Sequence, residues 1–145
     1  MLMNTQEYLS IIENIKSEIT AAQYRAAVHA NTDMLLLYHD IGRVINEHKS
    51  WGNKFIDNLA ADIRIAFPES KGYSVRNLKY MAKFAEIYSD RKFVQQVVAQ
   101  IPWGHNIVLM DKISNMDERN WYIKKSAENG WSRNVLVHQI ESGLY

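Results

Sequence analysis

The chain has 145 residues, 47% of them apolar and 23% charged, with a formal net charge of +1 at pH 7. That is enough apolar material for a core in one domain, with or without a helical arm, and too ordinary a charge content for disorder. Near-neutrality excludes a global pull towards nucleic acid or acidic lipid, so any electrostatic function must be local, and the absence of cysteine excludes disulfides, thiolate metal sites and cysteine nucleophiles and makes the cytoplasm the default compartment.

The opening "MLMNTQEYLSIIENIKSEI" carries acids where a signal peptide has a basic region, and has no long apolar run. No stretch approaches about 18 consecutive apolar residues, so no membrane span is expected. Two prolines and six glycines leave long periodic stretches, which favours helix. Thr5 is a candidate cap for a first helix with Tyr8, Ile11, Ile12, Ile15 and Ile19 on one stripe. A second, longer helix is expected from about Ala21 to Glu47, richest in apolar residues between Leu35 and Ile45. Gly42 inside it marks close packing or a kink. "HKSWGN" is a break. Phe55, Ile56, Leu59, Ile63 and Phe67 are spaced for the next helix, which Pro68 stops. A helix over 74–88 follows. "FVQQVVAQI" suits a helix or a short strand, and a helix is expected from about His105 to Ile113. "NMDERNWYIKKSAENG" reads as a helix begun near Asn115 or Asp117 and closed by Gly130, and a last helix starts at Ser132.

"GYSVRNL" (72–78) and "GWSRNVL" (130–136) echo one another. In each, Gly ends the preceding turn, an aromatic packs on the helix start, and Ser caps free backbone N–H groups. The plain reading is two good helix caps. The sharper reading is two helix-turn-helix units, with the tighter turn in the second.

The helix over 74–88 holds the strongest charge pattern. Between Lys71 and Lys83 lie Lys71, Arg76, Lys79 and Lys83 and no acid. At 100° per residue, Leu78, Met81, Ala82, Ala85 and Tyr88 share one face, while Arg76, Lys79 and Lys83 fall within about 60° on the opposite side. Tyr80 and Ile87 border them. Such a ridge can neutralise phosphates, and the helix N-terminus adds favourable N–H dipoles. The plain alternative is a solvated helix face. Asn77 tempts as an adenine reader but falls at the edge of the apolar face, which suits a buried or capping role better. Arg133 likewise shares its azimuth with Val137 and Ile140. Asn134, His138 and Glu141 point outward from the last helix, and Glu141 is unhelpful to a phosphate surface.

Catalytic patterns are missing. The five histidines show no i,i+4 pair and no HExxH, and there is no GxxxxGK[ST], GxGxxG or GxSxG. "PESK" (68–71) mimics the end of a metal-dependent nuclease site, but it falls in a loop between helices with no strand to bring an upstream Asp. Tyr38, His39 and Asp40 read as helix packing.

The strings "LLLYHDIGRVI", "WGNKFIDNLAADIRIAFPESKGYSVRNLKYMAKFAEIY", "FVQQVVAQIPWGHNIVLMDKI" and "RNWYIKKSAENGWSRNVLVHQIESGLY" resemble the N-terminal domain of the YhcG family over roughly residues 20 to 145. One departure is His39, where the family more often has Trp. The resemblance implies a helix-turn-helix-like DNA-binding module, and a PD-(D/E)XK nuclease domain that belongs after Tyr145 and is missing from this chain. The expected architecture is therefore all-α and multi-helix, with helix-turn-helix-like units. Residues 1–48 form an N-terminal arm suited to dimerisation, and residues 49–145 a helical domain packed with it. The expected function is a non-catalytic DNA-binding or targeting module. Arg76, Lys79 and Lys83 contact phosphates, Lys71 lies beside them, and Asn134 and His138 are weaker candidates. Duplex DNA and a second copy of the chain are the expected partners; no metal, cofactor, membrane or small-molecule substrate is expected. The competing reading is a protein–protein interaction or dimerisation module.

Overall fold

A computed structural model describes residues 5–145. These form seven α-helices and no strand: α1 (Thr5–Glu47), α2 (Gly52–Ala66), α3 (Val75–Ile87), α4 (Arg91–Gln96), α5 (Trp103–Lys112), α6 (Met116–Asn129) and α7 (Arg133–Glu141). Short 3-10 turns at Lys49–Trp51 and Val98–Gln100 join α1 to α2 and α4 to α5. The all-α expectation holds, and "FVQQVVAQI" resolves as α4 plus a 3-10 turn.

The two N-terminal helices expected from sequence are a single helix of 43 residues. No Gly or Pro interrupts it before Gly42, and Thr20 and Thr32 turn their hydroxyls back onto the carbonyls of Lys16 and Val28, each at 3.0 Å, inside the helical ladder. Thr5, the expected cap, is the first residue of the described helix, and what precedes it lies outside the described residues. Burial along α1 changes near residue 31. Residues 5–30 are exposed apart from the half-buried Ile12, whereas Leu35, Leu36, Tyr38, His39, Gly42 and Ile45 are buried in the body.

The core is the junction of α1 with α3, the most extensive helix contact of the fold. Leu78, Met81 and Phe84 are fully buried there, and the cationic side chains of α3 lie on the exposed side. Gly42 allows the close approach: a Cβ at this position would stand 1.9 Å from the Met81 carbonyl oxygen. Gly42 thus serves close packing. Aromatic rings fill the space towards α5, with Trp103 edge-on to Tyr38 at 4.9 Å and to Phe84 at 5.0 Å. Tyr38 and His39 are packing residues, as expected. His39 is buried, its Nε2 meets the Tyr88 carbonyl at 2.5 Å, and its ring lies edge-on to Phe84. Asp40 is bound by Arg91 at 3.1 Å. Asn31 ties α1 to the second 3-10 turn by donating to the carbonyls of Ala99 and Ile101, at 2.9 and 3.1 Å.

Both echo motifs cap helices. Ser74 accepts from the Asn77 N–H and Ser132 from the Val135 N–H, and the Leu four residues after each Ser, Leu78 and Leu136, is fully buried. Gly130 closes α6 at φ 60°, where a side chain would be strained, and leaves a three-residue turn into α7. Asn115 caps α6 by accepting from Glu118 N–H. Buried Arg119 donates to the carbonyls of Ile113 and Ser114 just beyond the C-terminus of α5, so its charge is met by carbonyl dipoles.

Tyr88 sets an alkaline limit. Its hydroxyl is buried without a hydrogen-bond partner. Burial pushes the hydroxyl up to about 12, and Arg119, over its ring at 5.7 Å, opposes the rise. Below pH 10 both folded and unfolded chains keep the proton and stability is complete. Between about pH 10 and 12 the unfolded chain loses a proton that the folded chain keeps, so stability falls by roughly 1.4 kcal/mol per pH unit. Tyr88→Phe is expected to remove that component. Denaturant midpoints at pH 8 and pH 11 check it: the loss between the two should shrink in the variant.

Candidate nucleic-acid interface

The ridge begins at the first turn of α3. Ser74 fixes the helix start, and residues 67–74 join it to α2. Arg76, Lys79 and Lys83 are all exposed on the side away from Leu78, Met81 and Phe84, as the periodicity predicts. With Val75 and Tyr80 they line an open depression of about 570 Å³. Arg76 lies over the Tyr80 ring at 5.3 Å.

The three cations are not equivalent. Lys79 makes no ion pair or hydrogen bond among the described residues, and Arg76 meets only the Tyr80 ring and hydroxyl. Lys83 donates to the Met110 carbonyl at 3.1 Å and stands 3.9 Å from the Asp111 carboxylate. Asp111 also accepts the Tyr80 hydroxyl at 2.7 Å, and this bond holds the Tyr80 proton above its ordinary pKa. The acid-free run read along the sequence therefore acquires an acid from α5. Asp111 is 28 residues beyond Lys83 in the chain, so local periodicity gave no sign of it. Phosphate contact by Lys83 would require it to leave these partners.

Lys79 and Lys83 also border a second hollow of about 300 Å³ between α2, α3 and the end of α1. His48 and Lys49 line it, and the His48 ring stacks on exposed Trp51 at 4.1 Å. Sequence reasoning treated "HKSWGN" only as a break. The clustering of His, Lys and Trp in six residues was the available signal. Lys71 is exposed in the loop before α3 and shares a third hollow with Arg64 of α2, a cation the sequence reading did not single out.

The other candidates separate from the ridge. Asn134 and His138 are exposed on α7, which packs against α5, and no hydrogen bond or ion pair among the described residues joins them to α3. Glu141 on the same helix pairs with Lys112 at 3.4 Å. Arg133 is exposed. Asn77 is a structural residue: its side-chain N–H donates to the Gly72 carbonyl, and its oxygen accepts the Trp103 indole N–H at 2.8 Å. Asn77→Ala would leave that N–H unpaired in a half-buried site. A loss of about 1–3 kcal/mol is expected, seen as a lower denaturant midpoint with the salt dependence of any nucleic-acid binding unchanged.

Glu69 is exposed in the loop between α2 and α3, without a strand beside it. Among the described residues no group of three His, Cys, Asp or Glu is placed to hold a metal ion. No helix among them is long and apolar enough to cross a membrane.

An all-α domain with an exposed basic helix face is thus the class that fold and surface define. The chain belongs to the DUF1016 N-terminal domain family, whose pattern matches residues 14–145. This is the YhcG-type N-terminal region that the sequence strings resemble. No curated protein and no solved structure matches the chain.

Proposed function

We propose that this domain is a non-catalytic DNA-binding or targeting module of a PD-(D/E)XK nuclease-family protein. The observation that carries the reading is the adjacency of Arg76 and Lys79 on the exposed face of a capped helix start, with no carboxylate paired to either. Two such cations one helical turn apart match successive phosphates as point charges, and the N-terminal N–H groups of α3 add to the same field. Lys71 precedes them in the loop, and Lys83 extends the ridge if released from Asp111. Asn134 and His138 would serve only a ligand long enough to reach α7. The reading requires no cofactor and no metal, and it places the domain with cytoplasmic DNA.

The test is a binding titration of the chain alone with duplex DNA, single-stranded DNA and RNA at several salt concentrations. Duplex binding that weakens linearly with the logarithm of salt supports the proposal. Indifference to all three nucleic acids removes it. The chain is also expected to leave plasmid intact with Mg²⁺ or Mn²⁺. Cleavage that disappears in Glu69→Ala would assign chemistry to "PESK".

A further inference from the structure

Residues 5–30 of α1 stand clear of the body over about 39 Å, at 1.5 Å per residue. A lone helix in water gains little from its own hydrogen bonds, and helices are held chiefly by packing of an apolar face. That face is present and bare: Ile15 and Ile19 are 46% and 51% exposed. Six apolar residues fall on a heptad seam, with Ile12, Ile19 and Ala26 at the a positions and Tyr8, Ile15 and Ala22 at d; Leu9 and Ile11 flank it, and Tyr24 and Val28 lie off it. His29 and Asp33 continue the seam to the edge of the body. Asn31, which anchors the helix to the body, projects from the opposite side, so the seam is open along the whole arm.

We infer that this seam pairs with the same seam of a second copy, antiparallel, with Ile19 of one chain opposite the partner's Ala22. Two features select this register. The first is volume. Isoleucines occupy the N-terminal half of the seam and alanines the C-terminal half, and the antiparallel register sets Ile15 opposite the partner's Ala26 and Ile19 opposite the partner's Ala22. Large then meets small in each central layer, and the helices keep an even separation. A parallel pair would stack Ile on Ile at one end and Ala on Ala at the other.

The second feature is charge. Glu18 and Arg25 lie seven residues apart on the same flank of the seam, at g positions, and neither has an ion partner among the described residues. In the proposed register, Glu18 meets the partner's Arg25 and Arg25 meets the partner's Glu18, so symmetry makes two equivalent ion pairs and leaves neither charge unmatched. Sliding one heptad in either direction puts Glu18 on Glu18 or Arg25 on Arg25. In a parallel pair the same flanks set Glu18 against Gln23 and Arg25 against Ala30, with no ion pair. Flanking charges of this kind fix orientation and partner in paired helices. The pairing also places the two bodies at opposite ends of the shared helix pair. It is independent of the nucleic-acid reading.

Light scattering on the whole chain is expected to give twice the 16.9 kDa chain mass. Glu18→Arg alone and Arg25→Glu alone should each weaken dimerisation by about tenfold or more, as two attractive pairs become two repulsive ones. The double variant should recover it. The chain has no cysteine, so Ser10→Cys provides a single attachment point for a spin label. The antiparallel register separates the two labels by about 32 Å along the axis, whereas a parallel pair brings them side by side. A monomer at high concentration overturns the inference. So does a dimer indifferent to both charge reversals, or labels found close together. Because the arm is free of the body, every variant should keep the parent's cooperative thermal transition of the body, whatever helicity the unpaired arm loses.

Discussion

Gly42→Ala is expected to cost about 3 kcal/mol or more, and to lower the melting temperature by roughly 10 °C. The added methyl would occupy a position 1.9 Å from the Met81 carbonyl oxygen and 3.0 Å from the Ala85 Cβ. The first contact is with backbone, so no side-chain rotation relieves it. Relief requires α1 and α3 to move apart, which loosens Leu35, Leu78 and Phe84 together, all fully buried in the same contact. The gain in helix propensity from Gly to Ala is about 1 kcal/mol and opposes the loss without cancelling it. Thermal melts of the variant and the parent measure the difference. A variant as stable as the parent would show that the two helices are less tightly joined than described.

Arg76→Ala with Lys79→Ala is expected to weaken duplex binding by roughly a hundredfold at 50 mM salt, at about one decade per lost phosphate contact. The fold should be unaffected, since both side chains project from the exposed face of α3. Lys83→Ala should weaken binding less than either single change, because its ammonium already lies on the Met110 carbonyl and near Asp111. Asp111→Asn sharpens the contrast. It frees Lys83 and removes a negative charge from the ridge, so binding should tighten. Equal losses from all three single alanine changes would instead make Lys83 a full member of the phosphate-binding set.

Local sequence carried much of this fold. The caps at Ser74, Asn115 and Ser132 and the stop at Gly130 were legible because each rests on side-chain and backbone chemistry within four residues. The ridge was legible for the same reason: a helical period fixes which residues of α3 share a face. The continuity of α1 was harder to see. The stripe of Tyr8 to Ile19 and the apolar run of Leu35 to Ile45 lie on different faces of the one helix, so no single apolar stripe runs its whole length. The chemistry between them, Thr20 to Ala30, contains nothing that ends a helix. What the sequence could not supply was tertiary pairing. Asp111 reaching Tyr80 and Lys83, Asn77 bridging Gly72 to Trp103, and Gly42 against Met81 all join residues whose adjacency is set by packing of separate helices. The first of these, the reach of Asp111 to Tyr80 and Lys83, separates Lys83 from the unpaired Arg76 and Lys79.

In the proposed function, α3 binds nucleic acid through Arg76 and Lys79. The most direct measurement is the dissociation constant for a fluorescent DNA duplex between 50 and 200 mM salt, for the chain and for its Arg76→Ala, Lys79→Ala double variant. A falling line is expected for the parent, and for the folded variant weaker binding with a slope shallower by about 1.8, from two lost contacts at about 0.9 each. A folded variant that binds with the parent's affinity and slope would contradict it and leave the ridge a solvated helix face.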